Sequence, residues 1–202
     1  MAIDMTKEGA AGRGPVAGRA HRTVYVRIVV DAAGVLRDRP DRNADARTPT
    51  KIGFVSGQFA ATATGGTMDQ DTGDIALDAC AGDTVRFFAK SGSNNFEHAV
   101  LIEDMRGIGT DNILENFELL KLPRMGLIPT AEMAGQSAKV VQQVSWFWQC
   151  AVVGEGTHGC SLVLALHDRD EEGQPRFAGL YRWDLKLTVH CDPTNAQEEK
   201  TP

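Results

Sequence analysis

Residues 139–153 read KVVQQVSWFWQCAVV. Five of the side chains that matter there, Val140, Val141, Val144, Val152 and Val153, are β-branched, and Trp146, Phe147 and Trp148 are aromatic. Such side chains lose rotamer freedom against the preceding turn of a helix and pack well on a pleated surface, so this longest apolar zone of the chain reads as a strand. On a strand Trp146 and Trp148 share one side. They anchor a core or form an exposed aromatic platform, and core packing is the expectation.

Working outward, other segments carry the same period of two. Val24, Val26, Ile28 and Val30 alternate with Tyr25, Arg27 and Val29, the signature of a strand with one buried face. Asp31-Ala32-Ala33-Gly34 reads as a turn, and the charged, proline-containing stretch 37–50 reads as a solvated loop. A second extended segment covers 52–64 and stops at Gly65-Gly66. Ile75, Leu77 and Ala79 alternate with Asp74, Ala76 and Asp78, and the turn Ala81-Gly82-Asp83 leads into a strand over 84–89. Further strands are predicted over 98–104, over 160–167 with Leu162, Leu164 and Leu166 inward, over 176–181 and over 183–191.

Roughly eight strands separated by Gly- and Asp-rich turns predict an all-β fold, an antiparallel β-sandwich of jelly-roll or immunoglobulin-like topology. Its expected core holds Val26, Ile28, Val85, Phe87, Val100, Ile102, Val144, Leu162, Leu164 and Leu187. Segment 111–121 fits two readings. Ile113, Leu114, Phe117 and Leu120 stand at helical spacing after Asp111, while Ile113, Phe117 and Leu119 suit a strand. Pro123, Gly126 and Pro129 predict one long irregular connection up to Gly135.

Composition bounds the rest. The 202 residues are 42% hydrophobic and 24% charged, a globular balance. The 27 acidic and 21 basic residues give a net charge of −6, so no basic surface for nucleic acid is expected. The longest unbroken apolar run, Leu162 to Leu166, is far short of the roughly 20 residues of a spanning helix, so no membrane partner is expected either. Residues 1–20 have no apolar stretch of the kind a secretory signal needs and read as a disordered leader. Residues 193–202 read as a flexible tail, which leaves 21–192 as a single domain in the cytoplasm. Cys80, Cys150, Cys160 and Cys191 are too few for a disulfide scaffold and are expected to be buried reduced thiols. A disulfide between Cys150 and Cys160, which flank Gly154-Glu155-Gly156 symmetrically, is the alternative.

Four kinds of site chemistry can be weighed. Asp168, Asp170 and Glu172 alternate before Gly173, and Asp69, Asp71 and Asp74 form a second acidic loop. Both superficially suit calcium, although Gly179 stands where an EF-hand needs its twelfth-position glutamate, and Asp and Gly favour hairpin turns for backbone reasons alone. Cys150, His158, Cys160, His190 and Cys191 are zinc-ligand types without the short paired spacing of a structural site. Neither a Gly-x-Ser-x-Gly elbow nor a phosphate-cradling glycine loop is present, Gly107-Ile108-Gly109 lacking the third glycine. Tyr181 and Trp183 are candidate ligand contacts beside the acidic loops. These residues make a carbohydrate-binding, lectin-like module with a glycan partner, with or without calcium, the alternative function.

Several stretches together resemble a known family. They are Gly73-Asp74-Ile75-Ala76-Leu77, Gly82-Asp83-Thr84-Val85-Arg86-Phe87, His98-Ala99-Val100-Leu101-Ile102, Leu164 to Asp170, and Gly179-Leu180-Tyr181-Arg182-Trp183-Asp184 with Leu187-Thr188-Val189. They are similar to the AidA/PixA bacterial proteins, products of quorum-sensing regulation and proteins that fill cytoplasmic inclusion bodies. The resemblance covers most of 23–190. It implies a compact β-sandwich that self-associates, homo-oligomers being expected, with no established enzymatic activity. Separately, no cofactor and no metal are expected, the acidic loops being the weak calcium candidates. Together with the missing catalytic constellation, the resemblance makes a non-enzymatic self-associating protein the expected function.

Overall fold

The computed structural model describes residues 20–39, 48–110, 112–129 and 138–192. The expected loose segments at 1–20 and 193–202 fall outside these residues, Ala20 apart. Eleven strands join in one continuous hydrogen-bonded sheet. In chain order they are β1 (Thr23–Val30), β2 (Thr50–Ile52), β3 (Phe59–Ala63), β4 (Gly66–Met68), β5 (Ile75–Asp78), β6 (Thr84–Ser91), β7 (Ala99–Ile108), β8 (Leu114–Pro129), β9 (Ala138–Val152), β10 (Gly156–Arg169) and β11 (Pro175–His190). The spatial order is β7-β10-β11-β5-β4-β3-β1-β6-β9-β8, with the short β2 beside β11.

The chain is all-β, and the ladder runs continuously in place of two separate sheets. It is also mixed: β1 pairs β6, and β11 pairs both β2 and β5, in parallel. The sheet curls until its ends nearly meet. Phe117 on β8 stacks on His158 of β10 at 6.1 Å, and the indole of Trp148 on β9 reaches the main chain of β7. Curling removes most of the exposed edge that an open sheet would leave.

The interior is filled by the alternating residues read from the sequence. Val26, Ile28, Val85, Phe87, Val100, Leu162, Leu164 and Leu187 are fully buried, and Ile102 nearly so. Val144 is the exception, half-exposed where β9 leaves the body of the sheet.

Local readings change at four places. The stretch after Asp31 is a helix, α1 (Ala32–Asp38), because the Asp31 carboxylate caps it by accepting from the Gly34 N–H. A β-carbon at Gly34 would lie 2.2 Å from that carboxylate, so this glycine serves the cap. Residues 114–129 form one strand through Pro123, not an irregular connection. Proline is tolerated because β8 is the outermost strand of the sheet, with a ladder on one side only. Residues 130–137, the rest of the expected connection, lie outside the described residues. The segments 176–181 and 183–191 are a single strand, β11.

The cysteines are the fourth change. Cys80 and Cys191 form a disulfide, their Cα atoms 4.6 Å apart, across 111 residues of chain. The four are therefore not all reduced thiols. Cys150 and Cys160 are free and buried. No hairpin joins their strands, since β9 pairs with β6 and β8 while β10 pairs with β7 and β11. Burial pushes the Cys160 thiol up to about 12, and burial with the proximity of Cys160 raises that of Cys150 as well. Both are inert at neutral pH.

The disulfide sits at a seam where three chain segments converge. The Asp83 carboxylate, fully buried, accepts from the N–H groups of Arg22 and Cys80 and pairs with the Arg22 guanidinium at 3.3 Å. Arg22 also pairs with Asp78 at 3.1 Å. Ala79 N–H donates to His190 O, and Asp192 N–H donates to the Asp78 carboxylate. The start of β1, the β5–β6 turn and the end of β11 are thus fastened together.

Candidate functional site

The acidic candidates build turns. Asp69 caps its own loop by accepting from the N–H groups of Asp71 and Thr72, and these two bonds, outweighing desolvation, hold its carboxyl below the ordinary range. Asp74 accepts from Lys186 N–H. Asp168 takes the Arg176 guanidinium through two bonds, at 3.0 and 2.8 Å, and Asp170 accepts from Gln174 N–H. Asp71 and Glu172 are exposed. The two loops belong to different connections, β4–β5 and β10–β11. Among the described residues, no group of three His, Cys, Asp or Glu side chains is placed to hold a metal ion.

Tyr181 and Trp183 point inward. Trp183 is entirely buried, its ring 5.0 Å from that of Phe59 and 6.2 Å from that of Phe54, and Tyr181 is buried on the same strand face. Neither ring presents a face to solvent, so neither serves as an exposed ligand platform. Their period-two spacing on β11 carries them into the core with Leu185 and Leu187.

The surface feature that stands out is the far end of β8 and β9. Strand β9 pairs with β6 only from Ala151↔Thr84 to Trp148↔Phe87. Before Trp148 it pairs with β8 alone, in unbroken antiparallel register from Leu119↔Trp148 to Pro129↔Ala138. The result is a two-stranded arm. Directly paired residues share a face, so Leu119, Lys121, Pro123 and Met125 of β8 lie with Trp148, Trp146, Val144 and Gln142 of β9. This is the same side as the buried Cys150 and Val152.

The core-facing row of β9 therefore runs out of the interior and into solvent. Trp148 is half-buried against the core, whereas Trp146 is 47% exposed, Val144 52%, Val140 54% and Met125 70%. The expectation that both tryptophans pack in the core holds for Trp148 and fails for Trp146, because the sheet beneath ends between them. Lys121 is the one formal charge among these paired positions, and its ammonium lies over the Trp146 ring at 4.1 Å. A contiguous exposed apolar face on a β-protein marks a contact surface more often than a scattered apolar residue does.

The sequence pattern of PixA, described as inclusion body protein, matches residues 22–189. The chain belongs to the PixA inclusion body protein family. A crystal structure of the inclusion body protein (PixA) from Burkholderia cenocepacia J2315 superposes with a TM-score of 0.70, covering 87% of this chain and all of that one at 19% identity. At that identity the likeness speaks to the fold alone. No match is found among curated proteins. The PixA match spans every strand described above, from the Arg22 seam to Val189, and so includes the arm. No helix among the described residues is long and apolar enough to cross a membrane.

Proposed function

We propose that this PixA-family protein works without catalysis, by associating with copies of itself, and that in the cell it accumulates as ordered cytoplasmic inclusions. The curled sheet acts as a rigid body and its outside does the work. One observation carries this reading: an apolar strand face, continuous with the core, is left uncovered on the β8–β9 arm. The family's description as inclusion body protein supports it. Uncovered apolar area of this kind gains free energy when a protein partner removes it from water, at about 25 cal/mol per Å². In a dense inclusion the most abundant partner is the protein itself.

Light scattering across a concentration series tests the reading. The apparent mass is expected to rise above that of the 21.8 kDa chain as concentration rises, and a chain that stays monomeric to about 1 mM, a weak-binding scale, would overturn it.

A further inference from the structure

The curled sheet has one narrow joint. Strands β7, β10 and β11 lie on one side of it, β4, β3, β1, β6, β9 and β8 follow on the other, and the four-residue β5 stands between. Strand β11 meets β5 only from Leu187↔Ile75 to His190↔Asp78, whereas its ladder with β10 runs from Val189↔Gly156 to Pro175↔Arg169. So short a ladder has few hydrogen bonds to resist fraying from its ends.

Each end of the joint is closed by a different device. At its start the Asp74 carboxylate accepts from Lys186 N–H. At its far end Cys80 and Cys191 stand just beyond the last pair, and their disulfide ties the two strands covalently. Main-chain N–H groups hold the two cysteines in place there, since Cys80 N–H donates to Asp83 and Asp192 N–H to Asp78. The two cysteines differ in access: Cys80 is 1% exposed, and Cys191, past the end of β11, is partly exposed.

We infer that this disulfide is a thiol-operated clasp, whose cleavage opens the β5–β11 joint locally while the rest of the sheet stays folded. The reductant is a small thiol or a dithiol protein of the class that keeps a cytoplasm reducing. Its thiolate attacks Sγ of the accessible Cys191, the S–S bond breaks, and Cys80 leaves as a thiolate that takes up a proton. A second reductant thiol then displaces Cys191 from the mixed disulfide. The bond gains two electrons and two protons to give two thiols, and the two reductant thiols become a disulfide. Cys150 and Cys160 do not compete, because both are buried and their thiols stay protonated at neutral pH. Reoxidation by a disulfide therefore restores the same pair. Self-association plays no part in this step.

Hydrogen exchange of the full chain, with and without dithiothreitol, tests the clasp. Mass spectrometry follows peptides over 75–80 and 187–192 at the joint and over 160–166 in β10, which is paired on both sides. Thiols trapped after treatment and counted in denaturant are expected to rise from two to four. On reduction the joint peptides are expected to exchange at least about ten-fold faster relative to the β10 peptide than in the oxidised chain. A chain carrying Cys80→Ser and Cys191→Ser is expected to match the reduced wild type and to ignore dithiothreitol. If dithiothreitol leaves the folded chain with two thiols, the bond is closed to reductants and the clasp is excluded. If joint and β10 peptides speed up in step, the bond stabilises the whole fold and nothing opens locally. If neither changes in the reduced chain, hydrogen bonds and packing hold the joint without it. Each of the last two results also overturns the clasp.

Discussion

The indole N–H of Trp148 donates to the main-chain carbonyl of Ile102 at 2.9 Å. Strands β9 and β7 do not pair, so this side chain links sheet ends that the ladder leaves apart. The bond stands beside a bulge in β7, where the register with β10 shifts between Val163 and Leu164. A bulge disrupts the local ladder and offers a carbonyl to a side-chain donor.

Trp148→Phe keeps most of the ring and removes the donor. It is expected to cost about 1 kcal/mol, the net worth of one such bond, and Trp148→Ala about 3–5 kcal/mol through lost packing. Urea unfolding measures both as a lower midpoint at an unchanged slope. A Trp148→Phe chain as stable as wild type would show that the sheet ends are held by packing alone.

The Cys80–Cys191 bond closes 111 residues of chain and fastens the end of β11 beside the buried Asp83. Two thiols are expected to titrate in denaturant without reductant and four with it. Cys191→Ser is expected to cost about 2–4 kcal/mol, read as a lower melting temperature. Four titratable thiols without reductant would restore the all-reduced reading.

The strands were legible wherever the period of two was unbroken, as in β1, β5, β6 and β10. The ambiguity at 111–121 has a physical origin. A bulge between Glu115 and Glu118, with Asn116 at φ 58°, inserts one extra residue into β8. Leu114 and Phe117 consequently face the core three residues apart, which imitates helical spacing. Helix α1 was hidden because its capping Asp31 and its Gly34 are also turn residues. Burial of Val35 and Leu36 decides between the readings, and that is a tertiary fact.

The arm was half legible. Its strand character and the shared side of Trp146 and Trp148 follow from composition and alternation. Its exposure does not, since an apolar strand that outruns its neighbour has the same sequence as one that is covered. Where β6 turns from β9 to pair only with β1 is set by long-range register. The disulfide was illegible for the same reason: parallel pairing of β5 with β11 brings together two cysteines that nothing local relates.

Asp83 has no solvent contact and holds Arg22 together with two main-chain N–H groups. Asp83→Asn preserves volume but replaces an acceptor-only carboxylate with a group that must aim an NH₂ at one of those donors. Breaking a buried charge arrangement from one side is expected to cost about 3 kcal/mol. Arg22→Ala, removing the partner that is partly in water, is expected to cost less. Chemical denaturation of the two variants checks the order, and the reverse order would show that the carboxylate matters only through its ion pair.

Asp184 lies on the outer face of β11, bonded to Ser161 Oγ at 2.9 Å and paired with Lys51 at 3.0 Å and Arg182 at 3.3 Å. Burial acts to raise its pKa, but the bonds from Lys51 and Ser161 and the two cationic charges outweigh it and hold the carboxyl below the ordinary range. A folded value below the unfolded one, near 3.9, means that the native state binds fewer protons there. The stability it contributes is complete above about pH 4 and is lost as pH falls through the lower folded value. Asp184→Asn removes that dependence. At pH 7 the variant is expected to lose under about 1 kcal/mol, because Lys51 is largely exposed and the pair is screened. Between about pH 5 and pH 2 the gap between variant and wild type should close, and at pH 7 it should shrink in about 1 M salt. Melting curves that stay parallel across that range would show that the Lys51 and Arg182 pairings contribute nothing to folding.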